Sequence, residues 1–183
     1  MKARIISRNC NSGCWMGIEP EISTKSQALD ILDKYYGSEN VSVDNGNSEG
    51  WTINWKSDDI ELPHNGMIEG YQDRVLRMWI FLNGENLNVE NLLEDMGNPH
   101  SVRAVLSSIA ENYEVTCAGA SLLYPQYGVE FYLLQNPESV GVSSNQFVNG
   151  LYIRTPWKPE ERPWTDSFYI QWDGYHEYCP PKL

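Results

Sequence analysis

Thr24–Gly37, with the sequence TKSQALDILDKYYG, does more to determine the fold than any other stretch of the chain. Thr24 and Gln27 form a capping-box pattern, in which the threonine hydroxyl accepts from a first-turn N–H and the glutamine reaches back. Apolar residues follow at helical spacing, and the final glycine supplies a left-handed stop. The apolar stripe comprises Ala28, Ile31, Leu32 and Tyr35. The stretch therefore predicts a short amphipathic helix that packs against a sheet.

A second stretch, Asn88–Gly97 with the sequence NVENLLEDMG, repeats this pattern. Asn88 is the expected cap, and the apolar stripe comprises Leu92, Leu93 and Met96. A valine-bearing strand is predicted after each helix, with Val41 and Val43 after the first and Val102 and Val105 after the second. The repeat predicts an α+β fold of two tandem units, each a short helix plus an antiparallel β-sheet, in one compact body. The expected divisions are an irregular lead-in over 1–20, a first unit over 21–86, and a second unit over 87–183 that ends in an aromatic tail.

Alternating apolar and polar residues predict the strands. Trp51, Ile53 and Trp55 alternate with polar residues, as expected for a half-buried strand. Further strands are predicted at Met67–Tyr71, Val75–Leu82, Val102–Leu106, Val115–Tyr124, Val129–Leu134, Phe147–Ile153 and Ser167–Trp172. Frequent turns and an excess of strands over helices favour an antiparallel sheet.

The strand Val75–Leu82 has two different predicted faces. One face is expected to carry Leu76, Met78, Ile80 and Leu82, and the other Arg77, Trp79 and Phe81. We expect the second face either to be covered by the second unit or to be used for contact with a partner.

The chain is acidic, with 25 acidic and 13 basic residues among 183 and a formal net charge of −12. This charge opposes binding to nucleic acid, because the phosphate-neutralising contribution would have the wrong sign. It suits a solvated surface, a cationic partner or a divalent metal. We therefore expect no binding to nucleic acid. No stretch reaches the length of a membrane span, so we also expect no membrane span.

Four cysteines, Cys10, Cys14, Cys117 and Cys179, allow three complete disulfide pairings. A zinc site of four thiolates is the alternative, but the spacing fits paired zinc knuckles poorly. The cysteines, with 7 Trp and 11 Tyr, are typical of an extracytoplasmic or secreted protein. Residues 1–8 contain no apolar run, so we expect that a leader is absent from this chain. A cytosolic protein with reduced thiols is the alternative.

Candidate catalytic residues do not form a recognisable set. The three histidines, His64, His100 and His176, lie in predicted loops or strand ends without a nearby nucleophile. The carboxylate pairs are Asp58–Asp59, Glu94–Asp95 and Glu160–Glu161, and solvated surface is the favoured interpretation for all three. The oxygen donors Asp44, Asn45, Asn47 and Glu49 do not complete a calcium loop. We therefore expect no catalytic residues, no metal and no cofactor, with a hydrolase of dispersed acidic residues as a remaining alternative.

Aromatic residues crowd the C-terminal part of the chain, at Trp157, Trp164, Phe168, Tyr169, Trp172, Tyr175 and Tyr178. Such rings suit interface anchors and sugar-stacking platforms. The surface-binding candidates are Trp157, Trp164, Tyr175 and, from the first unit, Trp79. The alternative is that the rings fasten the tail to the sheet, and Phe168, Ile170 and Trp172 are expected in the core.

The opening Cys10-x-x-x-Cys14-Trp15-Met16-Gly17-Ile18-Glu19-Pro20, followed by a helix, resembles that of uncharacterised secreted proteins and lipoproteins of green non-sulphur bacteria. Met16 and Glu21 depart from the Trp and Gly of that pattern. Each predicted unit is also similar to the repeats of β-lactamase-inhibitor-like and small outer-membrane-assembly lipoproteins. The resemblance implies a non-enzymatic scaffold for protein interactions, a fold-level analogy. We expect a subunit or inhibitor-like partner at the cell envelope, with a carbohydrate-binding module as the alternative.

Overall fold

A computed structural model describes residues 10, 13–46, 49–59, 62–82, 87–108, 115–133, 141–158, 160, 167–175 and 178, with the backbone alone at 105–108, 115–118 and 167–168. The helices are α1 (Lys25–Tyr36) and α2 (Val89–Met96), and short 3-10 turns span Ser38–Asn40 and Pro125–Tyr127. The strands are β1 (Val41–Asn45), β2 (Gly50–Lys56), β3 (Asn65–Tyr71), β4 (Arg74–Phe81), β5 (Ser101–Ser108), β6 (Val115–Tyr124), β7 (Val129–Leu133), β8 (Val148–Arg154) and β9 (Ser167–Gln171). The α+β class and the antiparallel pairing are confirmed, with strands dominating.

Helix α1 begins and ends where the sequence predicts. The Thr24 hydroxyl accepts from the Gln27 N–H at 3.2 Å, and the Gln27 side chain accepts from the Thr24 N–H at 2.9 Å. Gly37 ends the helix with φ of 81°. The buried face carries Ala28, Leu32 and Tyr36. The prediction of Tyr35 on this face was wrong: its ring is 50% exposed, because the residues four and eight positions after Ala28 continue the stripe.

Helix α2, like α1, begins at a side-chain cap and ends at a glycine. The Asn88 side chain accepts from the Asn91 N–H at 2.9 Å, and Gly97 ends the helix with φ of 78°. Val89 and Leu92 are buried. The hydroxyl of Tyr124 donates to the Gly97 carbonyl at 2.8 Å and so fastens the end of the helix to β6.

The described residues divide into two compact units. The first contains those up to 82 together with 126–129 and 150–157, and the second contains 87–125, 130–149 and those from 158 onward. In the first unit the strand order is β1-β2-β3-β4-β8, and in the second it is β7-β6-β5-β9. Segments 126–129 and 150–157 fall in the predicted second unit by sequence but group with the first unit here.

A bulge changes the predicted faces of β4. Glu69 pairs with Arg77 while Gly70 pairs with Val75, so Leu76 is the extra residue. Val75 is therefore buried and Leu76 is exposed, which corrects the prediction of Leu76 on the core face. Beyond the bulge, Met78 and Ile80 are buried as predicted.

Two tryptophans of β2 lie over glycines of β3. Trp51 pairs with Gly70 and Trp55 with Gly66, and a Cβ added at either glycine would overlap the facing indole ring. Trp15 from the lead-in stacks on Trp55 with ring centroids 4.8 Å apart. Large aromatic rings thus fill the space between this sheet and α1. In the described part of the chain, no helix combines the length and apolar character needed to cross a membrane.

Candidate functional site

The sheet of the first unit has one covered face and one open face. Helix α1 contacts β1, β2 and β4 from the side on which Trp51, Ile53 and Trp55 are buried. Strand side chains alternate between the two faces, so the intervening residues point away from α1. We call this second surface the open face, and it comprises Thr52, Asn54, Met67, Glu69, Arg77, Trp79 and Phe81.

The open face carries an apolar row beside an ion pair. Met67 lies directly opposite Trp79, and Phe81, two residues further along β4, is 50% exposed. Arg77 donates from Nε to Glu69 Oε2 at 2.6 Å, and its guanidinium carbon lies 4.9 Å from the centroid of the Trp79 ring. The open face therefore combines accessible rings with fixed charge.

Trp79 is held in place by its neighbours. Its ring centroid lies 4.9 Å from that of Tyr152 on β8, its direct cross-strand partner. Tyr152 is buried and Trp79 is half-buried. A ring fixed on one side and accessible on the other loses little entropy on binding, which is typical of interface anchors.

The remaining surface candidates from the sequence are Trp157, Tyr175 and Trp164. Trp157 is only 7% exposed, with the Arg154 guanidinium 5.3 Å from its ring, so the expectation of an outward ring does not match its position. Packing around Trp157 therefore buries a ring that the sequence placed among the surface candidates. Tyr175 is 48% exposed, and Trp164 lies outside the described residues.

The C-terminal rings form a small cluster of their own. Trp172 contacts Tyr175 edge-on at 5.7 Å between centroids and stacks on Tyr178 at 5.9 Å. Tyr178 is buried, and its hydroxyl donates to the Gly174 carbonyl at 2.6 Å. Burial raises the pKa of Tyr178 above its ordinary value. One ring of this cluster thus fastens the tail, while Tyr175 stays accessible. The side chain of Phe168 lies outside the described residues, whereas Ile170 and Trp172 are half-buried.

A polar pocket of about 540 Å³ opens near the end of β1, lined by Lys25, Asn45, Gly46, Glu49, Gly50, Trp51 and Gln72. Lys25 Nζ donates to Asn45 Oδ1 at 2.6 Å and lies 5.5 Å from the centroid of the Trp51 ring. Gln72 Nε2 donates to Glu49 Oε2 at 2.8 Å, and this hydrogen bond lowers the pKa of Glu49.

Two of the oxygen donors that suggested calcium by sequence are engaged with other side chains. Asn45 Oδ1 accepts from Lys25 Nζ and Glu49 Oε2 accepts from Gln72 Nε2, so a cation would have to displace these donors. Asn47 lies outside the described residues. Across the part of the chain that is described, no group of three His, Cys, Asp or Glu side chains could hold a metal ion.

The second unit contains a buried ion pair that the sequence reasoning missed. Arg103 on β5 donates from Nε to Glu130 Oε1 on β7 at 2.6 Å, and both side chains are buried. Ser121 lies 3.4 Å from the guanidinium, and the Tyr132 ring is 5.5 Å from it. The available signal was the sequence Val129-Glu-Phe-Tyr-Leu133, in which an acid interrupts an apolar strand.

The described members of the other candidate groups lie at the surface. His64 and His100 are exposed, as are Asp58, Asp59, Glu94, Asp95 and Glu160, while His176 and Glu161 lie outside the described residues. Solvated surface remains the interpretation of the exposed carboxylates.

The structure contains one disulfide among the described residues, between Cys10 and Cys14. Cys14, Trp15 and Ile18 are buried, so the lead-in contributes to the core of the first unit. The side chains of Cys117 and Cys179 lie outside those described, so their use in disulfides stays a prediction.

No established protein family, curated protein or solved structure matches this chain.

Proposed function

We propose that this protein is a non-enzymatic binding protein that acts outside the cytoplasm and engages another protein through the open face of its first unit. The observation that carries the proposal is the apolar row Met67, Trp79 and Phe81 on a sheet face that α1 leaves uncovered. Aromatic rings and methionine are enriched at protein interfaces relative to the rest of a protein surface.

The ion pair beside this row supports recognition of a protein rather than of an apolar small molecule. Arg77 and Glu69 offer a fixed donor and acceptor at the margin of the rings, which is the usual arrangement of a polar rim around anchors. The net charge of −12 favours a partner with a basic surface, because unlike charges steer association.

The extracytoplasmic setting is supported by the Cys10–Cys14 disulfide, since such bonds persist mainly in oxidising compartments. The resemblance of residues 10–20 to secreted lipoproteins agrees with a role at the cell envelope. The similar caps of α1 and α2 support an origin by tandem repetition of a helix-plus-sheet unit.

Variants of the open face test this function. Wild-type protein, Phe81→Ser and Trp79→Ala are each used to capture partners from an envelope extract, with quantification of every captured protein. The matched control is Tyr35→Ser, which removes a ring of equal exposure from α1, on the other side of the sheet.

At least one protein is expected to be captured by wild type and Tyr35→Ser and to fall about tenfold or more with both open-face variants, the loss typical of an interface anchor. Capture that is the same for all four proteins would overturn the proposal. Urea unfolding of each variant establishes that the folded state is retained.

Glycan binding is the second candidate, and the accessible ring of Tyr175 beside Trp172 favours it. A glycan array that gives binding to wild type but not to Tyr175→Ala would select this function.

A further inference from the structure

Strand β1 lies at an edge of the first unit's sheet. It pairs with β2 from Val41 to Asn45, and no described strand pairs with its other side. An edge strand presents a row of backbone N–H and C=O groups that can pair with a further chain. The edge is accessible, since Ser42, Val43, Asp44 and Asn45 are all exposed.

The usual devices that block an edge are mostly missing from β1. It contains neither proline nor lysine, and its register with β2 is unbroken over five residues. Its one charged residue is Asp44. From Gly37 to Gly46 the chain carries Glu39 and Asp44 and no basic residue. Lys25 of α1 donates to Asn45, which lies on the face of β1 opposite to Asp44.

We propose that β1 is a binding site for an extended basic segment of a partner protein, which adds to the sheet as an antiparallel strand. Backbone hydrogen bonds would provide the affinity, as in other cases of strand addition. The acidic edge selects the occupant, because lysine or arginine on the incoming strand pairs with Asp44. A second copy of this chain is disfavoured, since it would bring Asp44, Glu39 and a further net charge of −12 to the same edge.

The two faces of β1 define a side-chain pattern for the partner. Val41 and Val43 lie opposite Trp55 and Ile53, on the side of the sheet that α1 covers. Val43 is nevertheless 40% exposed, because the sheet ends there. An apolar residue of the added strand would cover Val43, and a basic residue on the opposite face would lie near Asp44. The segment is therefore expected to alternate apolar and basic residues.

The probe is a capped ten-residue peptide of alternating valine and lysine, and its acidic counterpart has glutamate in place of lysine. Binding is measured by titration, and the site by hydrogen exchange of the β1 amides. The basic peptide is expected to bind and to slow exchange in β1, whereas the acidic peptide does neither. Binding of the basic peptide without protection of β1 would overturn the proposal.

Backbone methylation separates strand addition from general charge attraction. Two basic peptides carry N-methyl groups, one on every valine and the other on every lysine, so each has one blocked edge. One of them is expected to lose about tenfold or more in affinity while the other binds like the parent peptide, because a single edge faces β1. Equal affinities would refute strand addition.

Charge variants test the role of Asp44. Asp44→Lys is expected to weaken the basic peptide by about fivefold, while Asp30→Lys, an identical change of charge on α1, leaves it within about twofold. Equal effects of the two variants would refute the role of Asp44. The Phe81→Ser variant should bind the peptide like wild type, so this site and the open face can fail independently.

Discussion

The two units bury different kinds of side chain in their interiors. In the first unit, Trp15, Trp55 and Tyr36 fill the space beneath α1, with ring centroids 4.8 to 6.2 Å apart. In the second unit, the sheet buries the charged pair Arg103 and Glu130. The first unit therefore depends on the fit of rings, and the second on the continued pairing of two charges.

This difference teaches where each unit is vulnerable. A ring layer tolerates loss of polar atoms but not added volume, since its space is already filled. A buried ion pair tolerates replacement of both partners but not loss of one, since the remaining charge is left in a poorly solvated site. The following predictions test that contrast, beginning with the largest expected effect.

Glu130→Ala is expected to cost about 3–5 kcal/mol in the free energy of unfolding, because Arg103 stays buried without its carboxylate partner. The control is Glu69→Ala, which breaks the exposed pair with Arg77 and should cost about 1 kcal/mol or less. Urea unfolding measures both. The double variant Arg103→Met with Glu130→Leu should recover most of the loss, and equal costs for the two single variants would contradict this account.

Gly70→Ala is expected to cost about 3 kcal/mol, because the added methyl group overlaps the Trp51 ring. Gly66→Ala is expected to have a similar cost, because its methyl group would overlap the Trp55 ring. Gly46→Ala is the matched control: its methyl group would lie 3.3 Å from the Gly50 carbonyl oxygen and requires only a small shift. A cost for Gly70→Ala no greater than that for Gly46→Ala would show that the ring layer yields easily.

Tyr36→Phe is expected to stabilise the protein by about 1–2 kcal/mol. Among the described residues, neither the buried Tyr36 hydroxyl nor the buried Trp55 indole N–H forms a hydrogen bond of good geometry, although the indole partly offsets the rise that burial causes in the pKa of Tyr36. Removing an unpartnered buried hydroxyl removes its cost of desolvation. A less stable variant, measured by thermal and urea unfolding, would show that the hydroxyl is satisfied.

The buried Tyr36 hydroxyl should also affect how the stability of the protein depends on pH in alkaline solution. Burial raises the pKa of Tyr36 above its ordinary value, an effect that the nearby Trp55 indole only partly offsets. Above a pH of about 10 the unfolded tyrosine ionises while the folded one does not, so wild-type stability falls as pH rises. Tyr36→Phe should lose less stability than wild type between about pH 9 and 11. Parallel stability curves would rule out this titration.

The helix caps should give the smallest effects, and similar ones in both units. Thr24→Ala and Asn88→Ala are each expected to cost about 1 kcal/mol, because each leaves a first-turn N–H without its acceptor. Hydrogen exchange at the first turn of each helix provides the local measurement. Unchanged exchange at either helix would mean that packing alone holds that helix in place.

Most of the correct fold predictions rest on interactions between residues that are close together in the sequence. The capping box at Thr24, the stop at Gly37 and the alternation in β2 depend only on neighbouring residues, and the structure has each of them. Two of the errors arose where distant residues intervene, whereas Tyr35 was misplaced within the apolar period of its own helix. The bulge at Leu76 reflects pairing of β4 with β3, and burial of Trp157 reflects the packing of its surroundings.

The candidate site was predictable only in part. Trp79 could be placed beside Arg77 on one strand face from alternation alone. That Met67 lies opposite Trp79 depends on the register between β3 and β4, which a single sequence does not specify. The Arg103–Glu130 pair joins residues 27 positions apart and depends on a pairing order of the same kind.

By itself, the sequence determined where the helices begin and end and the approximate positions of the strands, because caps, glycines and the period of apolar residues act over a few positions. Only the tertiary structure decided which strands are neighbours, which face of the first sheet stays open, and that β1 lies at an edge. These features depend on contacts between residues far apart in the chain, whose free energy no local pattern encodes.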